Sequence, residues 1–443
     1  MNGFVEIKTM FISEEERNIE TLSEKYYQKS DLMQVIKSIV ENDLLTRNSI
    51  MKKKILIKPN WVLHNRKHED NICLRTHENF ILAALELLLE EKPEKITIGD
   101  APIQGCNWHK MLPDEFYGAV KALSQKHGIP VIIKDFRRVT FSPGKNNPVN
   151  EQNPISDYVI FDLGKESYLE PISSSKKNIF RVTDYDPDRL AVSHTKGVHK
   201  YCITKELFDA DIIISLPKIK THQKAGVTAA LKNIVGLNGD KDFLPHHRIG
   251  GTGFGGDCYP GRNYLRLWAE LALDQANRNQ GKSIYWFYSK LSAILWRLSN
   301  PKSVHQIAAA WHGNDTTWRM VLDLNKIAIF GKKDGTIAKE PQRRLYSLGD
   351  GIIGGQGDGP LRPVPLPLGI ITFSNHSSMH DVAMGMLMDF DILKIPLLKT
   401  AFEKSKEDED IVDIIINGEK KELKAIKKIA VNTLPPPGWI GYL

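Results

Sequence analysis

Asp211-Ile212-Ile213-Ile214-Ser215-Leu216 runs directly into Pro217-Lys218-Ile219-Lys220-Thr221-His222. The first half is a short apolar run closed by a proline, the pattern of a strand covered on both faces. Similar runs occupy residues 54–57, 95–98 and 131–133, separated by helical stretches at 80–91 and 113–127. That β-α-β-α-β rhythm predicts a parallel sheet with crossover helices. Strand patterns resume at 326–330 and 368–373. The expected fold is α/β: a mainly parallel sheet flanked by helices, with a helical insertion.

Five segments follow. Residues 1–50 read as helical, with Ser13 and Ser30 as N-cap candidates before acidic first turns. Residues 51–241 hold the first half of the core, with short strands expected near 158–161 and 190–192. Residues 242–312 form a Gly-rich loop and helical insertion, 313–405 the second half of the core, and 406–443 a C-terminal extension. Within the insertion, apolar residues at 284, 287, 288, 291, 294, 295 and 298 make a helical stripe. It fits core packing, a homodimer seam, or shallow contact of 284–298 with a membrane surface.

The chain has 443 residues, 41% hydrophobic and 26% charged, so it can build a sizeable core. Its net charge of +7 comes with no basic stripe or nucleic-acid motif. No specific nucleic-acid partner is expected; an anionic small molecule or an acidic membrane surface fits the excess. Cys73, Cys106, Cys202 and Cys258 lie far apart with no C-x-x-C. That spacing argues against a disulfide framework, a zinc ribbon and a ferredoxin-type cluster. The opening residues include Glu6 and Lys8 and lack a signal-peptide core. No run approaches the ~18 apolar residues of a spanning helix. The expected compartment is cytoplasmic.

Ligands of open parallel sheets bind beyond the carboxyl ends of the strands. Asn60 and Asp100 stand at two such ends, and Lys218, Lys220 and His222 alternate past a third, so they share one side of an extended segment. They read as an anion cradle, or as a solvated basic loop. Residues 349–360 carry six glycines with Asp350 and Asp358. This stretch reads as a loop where the backbone approaches a ligand, or as a plain connection needing positive φ. Gly251-Thr252-Gly253-Phe254-Gly255-Gly256 matches G-x-G-x-x-G but follows His246-His247-Arg248 rather than a strand, so the dinucleotide reading fails. A lid is expected there, with Asp257 and the His246-His247 pair able to reach a ligand. His312 is a candidate acid, base or ligand, although helix capping by Asn314 or Asp315 explains its neighbourhood equally.

Lys58-Pro59-Asn60, the 216–222 step, Leu231-Lys232-Asn233-Ile234-Val235-Gly236 and the 350–360 loop together resemble the domain of unknown function 362 family, over roughly residues 50 to 400. The family's name assigns it no activity. Many of its members join a ferredoxin-like module with two four-iron clusters; this chain lacks those cysteine runs, so an iron–sulfur cluster is not expected. The 311–325 stretch looks like a longer subgroup associated with bacterial surface-polysaccharide pathways. The Lys-x-Lys-x-His step is also similar to loops in relatives of nickel-dependent lactate racemase, which implies racemisation or epimerisation of a hydroxy acid.

The leading expectation is an enzyme acting on an anionic, hydroxylated small molecule: a sugar-phosphate, sugar acid or hydroxy acid. Lys218, Lys220 and Lys232 would hold the anion, with Asn60, Asn233, Gly357 and Gly359 beside it. His222 would transfer protons, with Asp100 and His312 as further catalytic candidates. Asp100 and Asp350 would orient hydroxyls or a divalent metal. The alternative is a non-catalytic binding or assembly protein at the membrane surface.

Overall fold

β-Branched runs that cannot face water must be covered on both sides, and they organise the centre of the molecule. The computed structural model describes residues 3–10, 25–45, 49–65, 72–141, 149–175, 178–299, 309–409 and 411–443. Its main sheet has twelve strands. They are β1 (Gly3–Thr9), β2 (Lys54–Pro59), β3 (Lys95–Asp100), β4 (Val131–Asp135), β5 (Ile212–Leu216), β6 (Lys218–His222), β7 (Gly226–Thr228), β8 (Arg344–Asp358), β9 (Arg362–Leu366), β10 (Ile370–Ser374), β11 (Val412–Ile416) and β12 (Glu419–Lys421).

The spatial order is β12-β11-β1-β10-β8-β5-β2-β3-β4. From β8 to β4 every pair is parallel, whereas β10 runs antiparallel to both β8 and β1. Pro217 interrupts the β5–β6 run. β8 continues through the break, pairing first with β5 and then, across a bulge, with β6. Side chains alternate between two cores. Ile212 and Ile214 join the core under α1 (Lys29–Val40), α2 (Glu78–Glu90) and α3 (Asp114–His127). Ile213 joins the opposite core. The insertion contributes α4 (Tyr264–Arg278) and α5 (Ile284–Ser299), which pack on each other, and α6 (Thr317–Phe330), α7 (Ser377–Leu387) and α8 (Pro396–Glu407) cover the second face.

Several expectations give way. Residues 3–9 are a strand paired to β10 and β11, not part of a helical opening. Ser13 lies outside the described residues; Ser30 sits inside α1, its hydroxyl bonded to Asp31, and the cap position is Gln28. Residues 190–192 belong to the helix Pro187–Ser193, capped by the Asp186 carboxylate on the Asp188 N–H. Residues 326–330 finish α6, because Val321, Leu324, Ile327 and Ala328 continue one buried helical face.

The 349–360 stretch is mostly strand β8, not a ligand loop. A Cβ at Gly349 would lie 2.3 Å from the Thr372 hydroxyl, and one at Gly354 would lie 2.7 Å from the Ile219 carbonyl. These glycines let neighbouring strands and side chains close in. The α5 stripe is not core either. Ser292, off the stripe, is the one buried residue of the helix, while Ile284, Phe287, Ile294 and Leu298 face outward.

Candidate anion-binding site

At the carboxyl ends of β2 and β3, the Lys58 ammonium sits 2.8 Å from Asp100. Asp100 also accepts the N–H groups of Trp61 and Ala101, each at 2.7 Å. Asn233 donates to the Lys58 carbonyl and the Ser215 hydroxyl, and its oxygen accepts from Asn60 at 3.1 Å. Asn233 is thereby saturated, and Asp100 keeps one free acceptor position on Oδ2; both brace the carboxyl ends of these strands. Asn60 differs, since its buried Oδ1 has no hydrogen-bond partner among the described residues.

Lys218 and Asp350, both fully buried, form an ion pair at 2.9 Å. Asp350 also accepts from the Tyr27 hydroxyl at 2.6 Å and the His77 N–H at 3.0 Å. With these three partners the pair pins the N-terminal region and α2 to the sheet. Gly357 and Gly359 pack at the turn beside β6; a Cβ at Gly359 would lie 2.1 Å from the Thr221 carbonyl. His312 stacks on Tyr442 at 4.0 Å. Beside it, the Asn314 side chain accepts the Thr316 and Thr317 N–H groups at the start of α6.

The remaining cations gather without a direct ion pair among the described residues, the carboxylates of Asp100, Asp184, Asp240 and Asp257 acting on them at longer range. Lys220 is fully buried, and its ammonium donates to the carbonyls of Leu74 and Pro360. Burial, with Lys218 and Lys232 nearby, brings it down to about 7. Lys232 also falls to about 7, through burial and then repulsion from Lys241, Lys224 and Lys58. Burial lowers Lys224 and Lys241 to about 8. Lys241 donates to the Ala101 carbonyl at 3.1 Å. The ammonium groups of Lys224 and Lys232 have no hydrogen bond or ion pair among the described residues.

His222 adds a donor. Its Nδ1 accepts the N–H groups of Lys224 and Ala225, at 3.1 and 3.2 Å. Burial and the nearby lysines hold the ring neutral, leaving the proton on Nε2. That tautomer presents a hydrogen-bond donor rather than a base. The sequence reading missed Lys224 and Lys241. Lys224 carried a usable signal, standing two residues beyond His222 in the same basic step; Lys241, in a turn, carried none. The 250–256 segment folds as a tight turn, and Asp257 behind it accepts from the N–H groups of Arg248 and Asp315 and the Thr316 hydroxyl. It is held by the fold, not aimed at a ligand.

A family model described as a domain of unknown function (DUF362) matches residues 162–385, which include Lys218, Lys220, His222, Lys224, Lys232 and Lys241. A thylakoid-associated protein of Synechocystis is 21% identical over 222 residues, half of this chain and half of that protein. A crystal structure of a Thermotoga maritima protein aligns with 87% of this chain and 60% of its own, at 11% identity and a TM-score of 0.36.

Proposed function

The chain belongs to the DUF362 family, and from that premise we propose that its lysine cluster binds an anionic, hydroxyl-bearing small molecule and acts on it by proton transfer. The observation that carries this reading is the pair of ammonium groups, Lys224 and Lys232, which make no direct ion pair or hydrogen bond among the described residues, with Asp184 and Asp257 acting on Lys224 and Asp100 on Lys232 only at longer range. Uncompensated buried charge is strongly unfavourable, and an anionic ligand offsets it. The orphan Asn60 Oδ1 asks for a donor, which a ligand hydroxyl provides. Lys232, near 7, has both ammonium and amine forms at neutral pH, the condition for general acid–base work. Lys220 and the His222 Nε2–H would stabilise charge developing on the substrate.

Sugar-phosphates, sugar acids and hydroxy acids meet these demands, and isomerisation or epimerisation is the reaction class served. Substrates of this kind, including those of surface-polysaccharide synthesis, would place the protein in the cytoplasm. Thermal-shift titration with these three classes, against chloride at matched ionic strength, tests the reading. A polyhydroxy anion should raise the melting temperature where chloride does not, and Lys232→Met should abolish the effect. No response beyond chloride would refute it.

A second reading draws on the insertion. Tyr264, Trp268 and Leu271 of α4 and Ile284, Phe287, Ile294 and Leu298 of α5 are large apolar side chains exposed on one helical hairpin. Such a face suits shallow insertion among lipid headgroups, with Lys290 and Arg297 beside it. The name of the thylakoid-associated relative supports a membrane-surface site for its own chain. Among the described residues no helix is long and apolar enough to cross a membrane.

A further inference from the structure

Away from β6, the insertion brings together three side chains that the anion site does not use, two of which, Cys258 and Glu270, hydrogen-bond each other. His247 lies on the short strand His247–Arg248, paired with Phe180–Arg181. Cys258 follows the glycine-rich turn, where its N–H bonds the Gly250 carbonyl at 3.0 Å. Glu270 lies on α4, its Oε2 accepting the Gly250 N–H at 2.9 Å. They are 4%, 0% and 5% exposed, so water reaches none of them freely.

Their donor atoms all lie within 4.8 Å of one another, and His247 Nε2 is 3.7 Å from Glu270 Oε1. Two buried atoms of the group, His247 Nδ1 and Glu270 Oε1, lack hydrogen-bond partners among the described residues. Leaving such atoms unsatisfied costs roughly 1–3 kcal/mol each. The adjacent Arg181 does not relieve Glu270, because its guanidinium is committed to Asp274 through three bonds of 2.9–3.1 Å.

We propose that His247, Cys258 and Glu270 form a binding site for a divalent transition metal of the zinc class. Tetrahedral zinc holds nitrogen, sulfur and oxygen donors at roughly 2.0–2.3 Å, which puts neighbouring donors a little over 3 Å apart. The trio reaches that spacing with small side-chain adjustments. Imidazole and thiolate donors disfavour magnesium and calcium, which take oxygen ligands. Three protein donors leave a fourth position free, as in catalytic rather than structural sites. A small cavity lined by Arg181, Thr183, Asn277 and Trp296 adjoins the trio and gives that position room for water or a ligand atom. The inference is independent of the lysine cluster and goes beyond the anion-binding reading.

Cobalt(II) titration of the full chain, first stripped with a chelator, tests it. One equivalent should bind, with a near-ultraviolet thiolate-to-cobalt band and the visible bands of four-coordinate cobalt, and zinc should erase both. Cys258→Ser should remove the thiolate band although Cys73, Cys106 and Cys202 remain. His247→Asn and Glu270→Gln should weaken binding about 100-fold or more, since even outer-shell partners are worth 10–100-fold. Circular dichroism verifies the fold of each variant. If the variants fail to fold, the wild-type spectrum decides alone. No thiolate band at saturating cobalt, or a band that survives in folded Cys258→Ser, overturns the proposal.

Discussion

Replacing Lys232 with methionine keeps most of the length of the side chain and removes its charge. Holding that ammonium at about 7 rather than the ordinary 10.5 corresponds to roughly 5 kcal/mol against the charged form in the native protein. Residual solvent access of the side chain screens this to roughly 2–3 kcal/mol. Lys232→Met should therefore stabilise the ligand-free protein by about that amount at pH 7. The sign follows from linkage: between 7 and 10.5 the unfolded chain binds more protons at this site than the native one, so wild-type stability climbs with pH. The advantage of the variant should be greatest on the acid side and shrink as pH rises towards 10. Urea unfolding of both proteins at pH 6, 7, 8 and 9 measures it, with m-values checked for constancy. A variant less stable than wild type at pH 7, or a difference indifferent to pH, would show that Lys232 is not an uncompensated buried cation. The reasoning behind the anion site would fall with it.

Lys218→Ala should destabilise the fold by roughly 3–5 kcal/mol, because it strands the buried Asp350 carboxylate. A change under 1 kcal/mol in chemical denaturation would contradict the pinning role. Anion affinity should be greatest below pH 7 and fall from pH 7 to 9, as Lys220 and Lys232 (about 7) and then Lys224 and Lys241 (about 8) lose protons. Calorimetry in buffers of different ionisation enthalpy should accordingly register proton uptake on binding, and its absence would count against these lysines as the ligand contacts. The α4–α5 hairpin should carry the protein onto anionic liposomes in co-sedimentation, and Phe287→Glu with Leu298→Glu should release it. A concentration-dependent dimer that the same substitutions dissociate, without lipid binding, would assign the face to a second copy of the chain.

The parallel half of the sheet was legible because β2, β3 and β5 are apolar on both faces, a demand visible in sequence alone. Residues 326–330 misled because Ile327, Ile329 and Phe330 suit a strand locally, while the 3.6-residue register begun at Trp318 governs them. The glycines of β8 could not be read as strand, since their need arises from atoms across the sheet, Thr372 and Ile219, that no local pattern reveals. Lys220 was recognisable as a candidate, yet its burial was not. Leu74 and Pro360, remote in sequence, supply the carbonyls that hold it. The α5 stripe shows the converse: helical periodicity identified an apolar face correctly but not whether anything covers it.

The pairing of β1 with β10 sets a schedule for making the protein. Some 360 residues separate these strands, roughly 20–70 s of synthesis at ordinary ribosome speeds. Through that interval β1 has neither of its neighbours, because β11 is translated later still. The early strands β2 and β3 can pair meanwhile, but the sheet cannot close on its other side until nearly the whole chain has emerged. An unpaired strand that carries Phe4, Val5 and Ile7 and waits that long invites wrong partners, which makes β1 a place where nascent chains need shielding.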